Sequence, residues 1–378
     1  MKQWIFCPGD QNRNRIEIRM KTSSFNYPEL VEILQAKTPC ALATVLGTHG
    51  STPQKAGSSA LIGFNQLLAG TVGGGMTELK VIQQSQVILN SKTSGIFSFD
   101  LSGDLTKGSD SICGGGMTIL LDAAPEMHLP VFQQLKKSLE DRIPGVLITW
   151  LDETNPKEIL ISRYWFSKTN QPQLPVELKN AIEPVISDLL EHTVGNSIRL
   201  ISVNEGENKG SVFLESVIPK PSLVIAGAGH IGQSLAHFGK ILGFEVTVWD
   251  DRTEFANKSQ LTDADFILTG SSDSFHEQIN IQADSYLVIV TRGHKSDAEV
   301  LRKFITTEAA YIGMIGSKSK VNQMRKSFID NKWASQEQWG RIYTPVGLEI
   351  GAQIVEEIAL SIAAQLVQVR NKRNKTGE

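Results

Sequence analysis

The run LVIAGAGHIGQSLA, residues 223–236, leaves a chain few ways to fold. An apolar strand pattern leads directly into Gly227, Gly229 and Gly232 in GxGxxG spacing, a helical pattern follows, and the next strand pattern ends on Asp250 and Asp251. Each glycine has its own physical task. The first permits the turn, the second lets backbone approach a pyrophosphate, and the third lets helix pack on strand, so that the first helical amides face the anion. The glycines alone are weak. With the strand before, the helix after and an acid roughly 20 residues on, they specify a nucleotide-type fold. Asp250 is expected to accept hydrogen bonds from ribose hydroxyls, and His230, inside the turn, is a candidate ligand contact.

The rest of the C-terminal part repeats the rhythm: FEVTVWD, DFILTG, YLVIVT and YIGMIG alternate with helical segments, as in a parallel sheet with helices on both faces. Two loops fall beyond the carboxyl ends of such strands, where these sheets hold ligands. TRGHKSDAE carries Arg292, His294 and Asp297, and GSKSK carries Ser317, Lys318 and Lys320. Arginine and lysine there suit phosphate or another anion, and a histidine near a carboxylate suits proton transfer or orientation. The closing segment spaces Ile350, Ile354, Ile358, Ile362 and Leu366 by four, an apolar stripe expected to pack in a core.

The N-terminal part raises a different question. TVGGGMTE, residues 71–78, is echoed by SICGGGM, residues 111–117. Ordering three glycines is entropically costly, so each run either makes a tight backbone crossing or bulge, or presses bare amides on a ligand. Gly73, Gly74, Gly75 and Glu78 in the first run, and Cys113, Gly114 and Gly115 in the second, are the candidate contacts. Between strand patterns CALATVLG and SSALIGF lies GTHGSTPQKAG, whose His49, Ser51, Thr52 and Lys55 offer donors on a loop. After the first run, MTELKVIQQSQVILNSK has helical spacing, with Leu79, Ile82, Val87 and Leu89 among its apolar positions. Strand patterns GVLITWL, EILISRYWF and SVFLESV are expected to extend the first sheet. The prolines of VIPKPSLVIAG mark the linker.

The reading is therefore α/β throughout: an extension over residues 1–22, an N-terminal α/β domain over 23–218, and a Rossmann-like, doubly wound parallel sheet domain over 219–378. A net charge of −3 on 378 residues leaves no electrostatic footprint for nucleic acid or an anionic membrane. Three cysteines without disulfide or CxxC spacing, and no long apolar run, point to a soluble protein of a reducing cytoplasm. The histidines have no metal spacing, so no metal site is expected.

Taken in order, GTHGSTPQKAG, GTVGGGMTE, CGGGM, LVIAGAGHIG, TRGHKSD, GMIGSKSK and TPVGLEIGAQIVEEIALSIAAQ resemble the XdhC/CoxI family of xanthine dehydrogenase accessory proteins, from about Tyr27 to Gln365. The resemblance implies a protein that binds the molybdenum cofactor, in mononucleotide or dinucleotide form, and supports its sulfuration by a cysteine desulfurase. It then delivers the cofactor to a molybdenum hydroxylase such as xanthine dehydrogenase, as a chaperone more than a catalyst. The glycine runs are expected to lie against that ligand, and a homodimer is compatible with the apolar closing stripe. Where many relatives have a cysteine after the first glycine run, this chain has Met76, which supplies no thiolate. Cys113 matches the family's CGG and is the remaining candidate for sulfur or metal contact, with a small buried apolar filler as its plainer role. The other function class is an NAD(P)-binding oxidoreductase, which the glycine turn alone would support. No familiar hydride-transfer constellation accompanies it.

Overall fold

The computed structural model describes residues 25–100, 115–155, 159–191, 197–205 and 208–376. The expected extension, Cys113 and Gly114 lie outside the described residues. The chain divides into two compact units between Pro219 and Lys220.

In the N-terminal unit, helix α1 (Tyr27–Gln35) precedes strands β1 (Ala41–His49), β2 (Ser59–Gly63) and β3 (Gln66–Gly70). Helix α2 (Gly75–Ser91) and strands β4 (Gly95–Asp100) and β5 (Gly116–Asp122) complete an antiparallel sheet of order β3-β2-β1-β5-β4. Then come α3 (Leu129–Glu140), β6 (Gly145–Asp152), β7 (Leu160–Ser167), α4 (Val176–Glu191), β8 (Ile198–Glu205) and β9 (Asn208–Val217). These later strands do not extend the first sheet, as the sequence suggested. They make a second sheet of order β7-β6-β9-β8.

The reason is visible in β6, which is apolar on both faces and needs a partner layer on each. Val146 and Ile148 pack with Leu178, Ile182 and Leu189 of α4. Leu147 joins Leu42 and Leu61 of the first sheet in one cluster, and Leu151 joins Leu46 and Leu120 in another. The period of two works the same way in β1, where Ala41, Ala43 and Val45 face α2 while Leu42 and Leu46 face the second sheet. Helix α2 buries Thr77, Val81, Ser85 and Ile88, and of the apolar positions read from spacing Ile82 and Leu89 are half-buried against the same cluster. Leu79 and Val87 are exposed. Small residues at Thr77 and Ser85 let the helix lie close to the sheet.

Polar groups are sealed between the two sheets. Arg163 pairs with Asp122, both almost fully buried, and Tyr27 donates to Glu215 at 2.6 Å. Burial pushes the Glu215 carboxyl up to about 7, against the pull of Tyr27 and Arg163. The folded state therefore holds this proton more tightly than the unfolded chain does. The stability that follows is full below the ordinary carboxyl pKa and is lost as pH rises towards 7. Glu215→Gln, which stays neutral, is expected to flatten the decline in unfolding free energy between about pH 4.5 and 7, by up to about 3 kcal/mol. Urea unfolding curves across that range measure it.

The C-terminal unit runs β10 (Ser222–Ala226), α5 (His230–Ile241), β11 (Glu245–Asp250), β12 (Phe266–Thr269), α6 (Ser272–Gln278), β13 (Ser285–Ile289) and α7 (His294–Phe304). It ends with β14 (Tyr311–Met314), α8 (Lys318–Asp330), α9 (Gln336–Gly340), β15 (Ile342–Tyr343) and α10 (Val355–Thr376). All six strands are parallel in the order β12-β11-β10-β13-β14-β15. Numbered within the unit this is 3-2-1-4-5-6, the doubly wound order with its switch point between β10 and β13. One face packs on α5 and α10 through Leu235, Ile362 and Leu366, and the other on α6 to α8 through Phe275, Phe304 and Phe328. The apolar stripe holds only in its second half. Helix α10 begins at Val355, so Ile350 and Ile354 precede it and are exposed.

Candidate functional site

In the N-terminal unit three sequence motifs meet. Strand β1 carries a bulge between Val45 and Gly47 and runs on to His49, which pairs with Gly116 at the start of β5. The loop after it passes between the two glycine runs. A Cβ on Gly115 would lie 2.4 Å from the His49 carbonyl oxygen and 2.5 Å from that of Ser51. One on Gly116 would lie 2.3 Å from His49 Nε2. On the other side, a Cβ on Gly73 would lie 2.8 Å from Pro53 Cγ. Bare backbone at both runs is what lets the loop fit.

The first run is no bulge. Gly73, Gly74 and Gly75 have φ of 135°, 65° and 54°, and they turn the chain from β3 into α2. Thr71 Oγ1 accepts from the Gly73 amide at 3.2 Å and donates to Glu78 Oε2 at 3.0 Å. Glu78 thus braces the turn from the helix side. Among the described residues no side chain caps α2, and nothing lies within 4 Å of a Cβ placed on Gly74 or Gly75. The left-handed backbone and the uncapped amides give this corner the character of an anion-binding nest. Around it, His49, Ser51 and Lys55 are exposed, and Thr52 donates to the Gln54 carbonyl at 2.8 Å. Met76 is exposed. Among the described residues the one cysteine is Cys40, whose thiol burial pushes up to about 12, so it is no nucleophile.

The glycine turn of the C-terminal unit has the geometry its spacing suggests. Gly227 has φ of 124°, and a Cβ there would lie 2.4 Å from the Val290 carbonyl oxygen. A Cβ on Gly229 would meet nothing within 4 Å among the described residues, leaving room for a ligand to approach backbone. A Cβ on Gly232 would lie 1.9 Å from the Gly227 carbonyl oxygen. His230 is the exposed first residue of α5.

Asp250 departs from its expected role. It is 3% exposed, its Oδ2 accepts from the Ala228 amide at 2.8 Å, and Arg252 grips both oxygens, Nε on Oδ1 at 2.8 Å and Nη2 on Oδ2 at 3.0 Å. These donors hold its carboxyl below the usual range although burial opposes them. Asp250 ties the glycine turn to Arg252 rather than standing open to a ribose. Arg252, stacked 3.9 Å from the Phe255 ring centroid, is the polar group that replaces it at the strand end. Its signal was legible as the third residue of DDR, where an arginine after the strand-end acid suits a phosphate on the ribose.

Beyond the carboxyl ends of β13 and β14 lies a cavity of about 350 Å³ that joins the two basic loops. Arg292, His294, Asp297, Ser317 and Lys320 line it, with Met314, Val321, Met324, Pro345 and Val346 as apolar wall. Lys318 is exposed at the start of α8 and does not line the cavity. Helix α7 starts after Gly293 and α8 after Ser317, whose side chain accepts from the Lys320 amide. Asp297 Oδ1 accepts from the Thr291 amide at 3.1 Å and from its hydroxyl at 2.6 Å. Burial pushes Asp297 up to about 6, against those bonds and the charges of His294 and Lys320. The sequence did not reveal the apolar wall, because Pro345 and Val346 come from a segment distant from both loops.

No helix among the described residues is long and apolar enough to cross a membrane. No group of three or more His, Cys, Asp or Glu among them is placed to hold a metal ion.

Comparisons with known proteins agree with this arrangement. Residues 33–100 match the model of the XdhC and CoxI family, and residues 223–366 match that of the XdhC Rossmann domain. A Bacillus subtilis protein described as a probable xanthine dehydrogenase subunit is 25% identical over 90% of this chain and 96% of its own length. The uncharacterized protein YqeB of Escherichia coli is 23% identical over 91% of this chain, which spans 46% of that relative. A solved structure described as a xanthine dehydrogenase from Bacillus halodurans superposes with a TM-score of 0.71 at 26% identity, covering 92% of this chain and 97% of that one. With the two domain models matched in order and their glycine motifs formed as described, the chain belongs to the XdhC and CoxI family.

Proposed function

We propose that this chain is an accessory protein of a xanthine dehydrogenase-type molybdenum hydroxylase, which binds the molybdenum cofactor, supports its sulfuration by a cysteine desulfurase, and hands it on in the cytoplasm. The observation that carries the reading is the convergence of the 49–53 loop with both glycine runs at one corner of the N-terminal unit. An oxygen-rich, anionic cofactor fits the positive-φ glycines and uncapped α2 amides there. His49, Ser51 and Lys55 are the side chains that would orient it, and Cys113, in the second run, is the residue proposed to meet the sulfur or the metal. When bound, the cofactor supplies the redox-active metal and dithiolene that the client enzyme uses. This chain's part is to hold it, shield it and release it.

In the C-terminal unit, the open backbone at Gly229 and the Arg252 fork suit a nucleotide phosphate. Deleting the gene is expected to leave the client hydroxylase made but inactive, and chain purified from molybdate-supplied cells is expected to carry molybdenum by mass spectrometry. Full hydroxylase activity in the deletion strain would sink the proposal. Tight NADH binding without molybdenum would favour the oxidoreductase instead.

A further inference from the structure

Helix α2 carries an outer face unlike that of an ordinary surface helix. Met76, Leu79 and Val87 are 52%, 47% and 58% exposed. With exposed Gln83 between them they recur at helical spacing and share one face, round the helix from the buried Val81 and Ser85. Glu78 and Lys80 are the charged residues of α2, and Glu78 is engaged with Thr71. Helix α8 is the contrast, since it exposes Lys318, Lys320, Arg325, Lys326 and Asp330.

The apolar patch continues past the helix. Gln86 donates to Asn65 in the β2–β3 turn, which brings the turn that carries Phe64, 53% exposed, to the Val87 end of α2. Large apolar side chains gathered on one face, with charge depleted, have the composition of an interface centre rather than of open surface.

The occupant follows from where the face begins. Met76 comes directly after Gly75, the first residue of α2, so one helical turn offers amides to the cofactor proposed for this corner and an apolar side chain to whatever docks. A cargo passed on without release into water needs its receiver seated beside the exit. The face also suits a partner that comes and goes. Its apolar side chains are half covered in the free chain, and Lys80 and Gln83 interrupt them, whereas a permanent interface resembles a core cut in half.

We infer that the α2 face from Met76 to Val87, together with Phe64, is the docking surface for the client hydroxylase, which meets it with aliphatic or aromatic side chains and few charges. The inference rests on the proposed function for the identity of the client, and on the exposed face for its place. Burial of these side chains drives the association, and a nearly uncharged helix leaves little charge to desolvate against it.

The test measures calorimetric binding of the full chain to the hydroxylase purified from the deletion strain. Leu79→Glu with Val87→Glu puts two carboxylates on the face, at helical positions that accept glutamate and lie outside the glycine corner. Its thermal midpoint and molybdenum content are expected to match those of the unmodified chain, while affinity for the hydroxylase falls about thirty-fold or more. Val87→Lys alone, at the end of α2 far from the corner, is expected to lose about ten-fold and serves if the double variant is unstable. Leu79→Met with Val87→Ile keeps the face apolar, Lys326→Glu alters α8 instead, and both are expected to bind normally. The inference is overturned if the unmodified chain does not bind the hydroxylase, or if the charged variants bind as well as it does. It is also overturned if sedimentation shows a dimer that the glutamate variant splits, which would give the face to a second copy. Molybdenum content reports on the proposed function separately. A chain that carries molybdenum and binds the hydroxylase equally with and without the glutamates keeps that function and loses this surface. One that carries none but binds through α2 loses the function and keeps the surface.

Discussion

Gly232→Ala is expected to lower the unfolding free energy of the C-terminal unit by about 3 kcal/mol and to abolish the proposed nucleotide binding at the glycine turn. The added methyl would sit 1.9 Å from the Gly227 carbonyl oxygen, an atom of backbone that no rotamer change can move. Gly227 is itself pinned, because its amide donates to the Trp249 carbonyl at 2.7 Å and its own Cβ position is filled by the Val290 carbonyl. The strain must therefore displace α5 from β10, at the point where Ala228 meets Asp250. Gly229→Ala is the control. Its Cβ meets nothing within 4 Å among the described residues and its φ is −69°, so stability should change by under about 1 kcal/mol while affinity for the proposed nucleotide falls. Urea unfolding and nucleotide titration of the two variants separate a packing glycine from a ligand-facing one. Equal stability loss in both would contradict the distinction.

That contrast also marks how far the sequence could be read. The turn was legible because its residues are close in the chain and each is required by local backbone geometry. The loops at Arg292 and Ser317 were legible for a related reason: an alternating strand pattern fixes where each strand ends. What joins those loops into a cavity was not legible, since Pro345 and Val346 arrive from beyond α9. In the N-terminal unit the two glycine runs signalled themselves, but the loop that separates them did so only as a set of donors. Its contacts cross from His49 to Gly116 and from Pro53 to Gly73. The second sheet was missed because alternation gives the faces of a strand and not the identity of its neighbour. Alternation did contain one unused signal. In SVFLESV it places Glu215 on the same side as the buried Phe213 and Val217, and in SRYWFS it places Arg163 with Trp165. A charge on an inward face calls for a partner, and that partner lies far along the chain.

The largest stability effect expected in the N-terminal unit follows from that partner. Asp122→Ala should cost about 3–5 kcal/mol, because it leaves the Arg163 guanidinium buried without its carboxylate. Asp122 also accepts from the Ala124 amide at 2.9 Å, so one backbone donor is orphaned as well. The neighbouring acid would then respond. Arg163 already draws the Glu215 carboxyl downwards, and without Asp122 the guanidinium has Glu215 as its remaining nearby carboxylate in the sealed layer. The variant is accordingly expected to hold Glu215 ionised to lower pH, and to lose much of the decline in stability between about pH 4.5 and 7. Replacing both partners, Asp122→Leu with Arg163→Met, should recover most of the loss, since an apolar pair of similar volume needs no compensation. Urea unfolding of the three proteins across pH decides the matter. If the double variant were as unstable as Asp122→Ala, the loss would come from packing and the backbone donor rather than from the stranded charge.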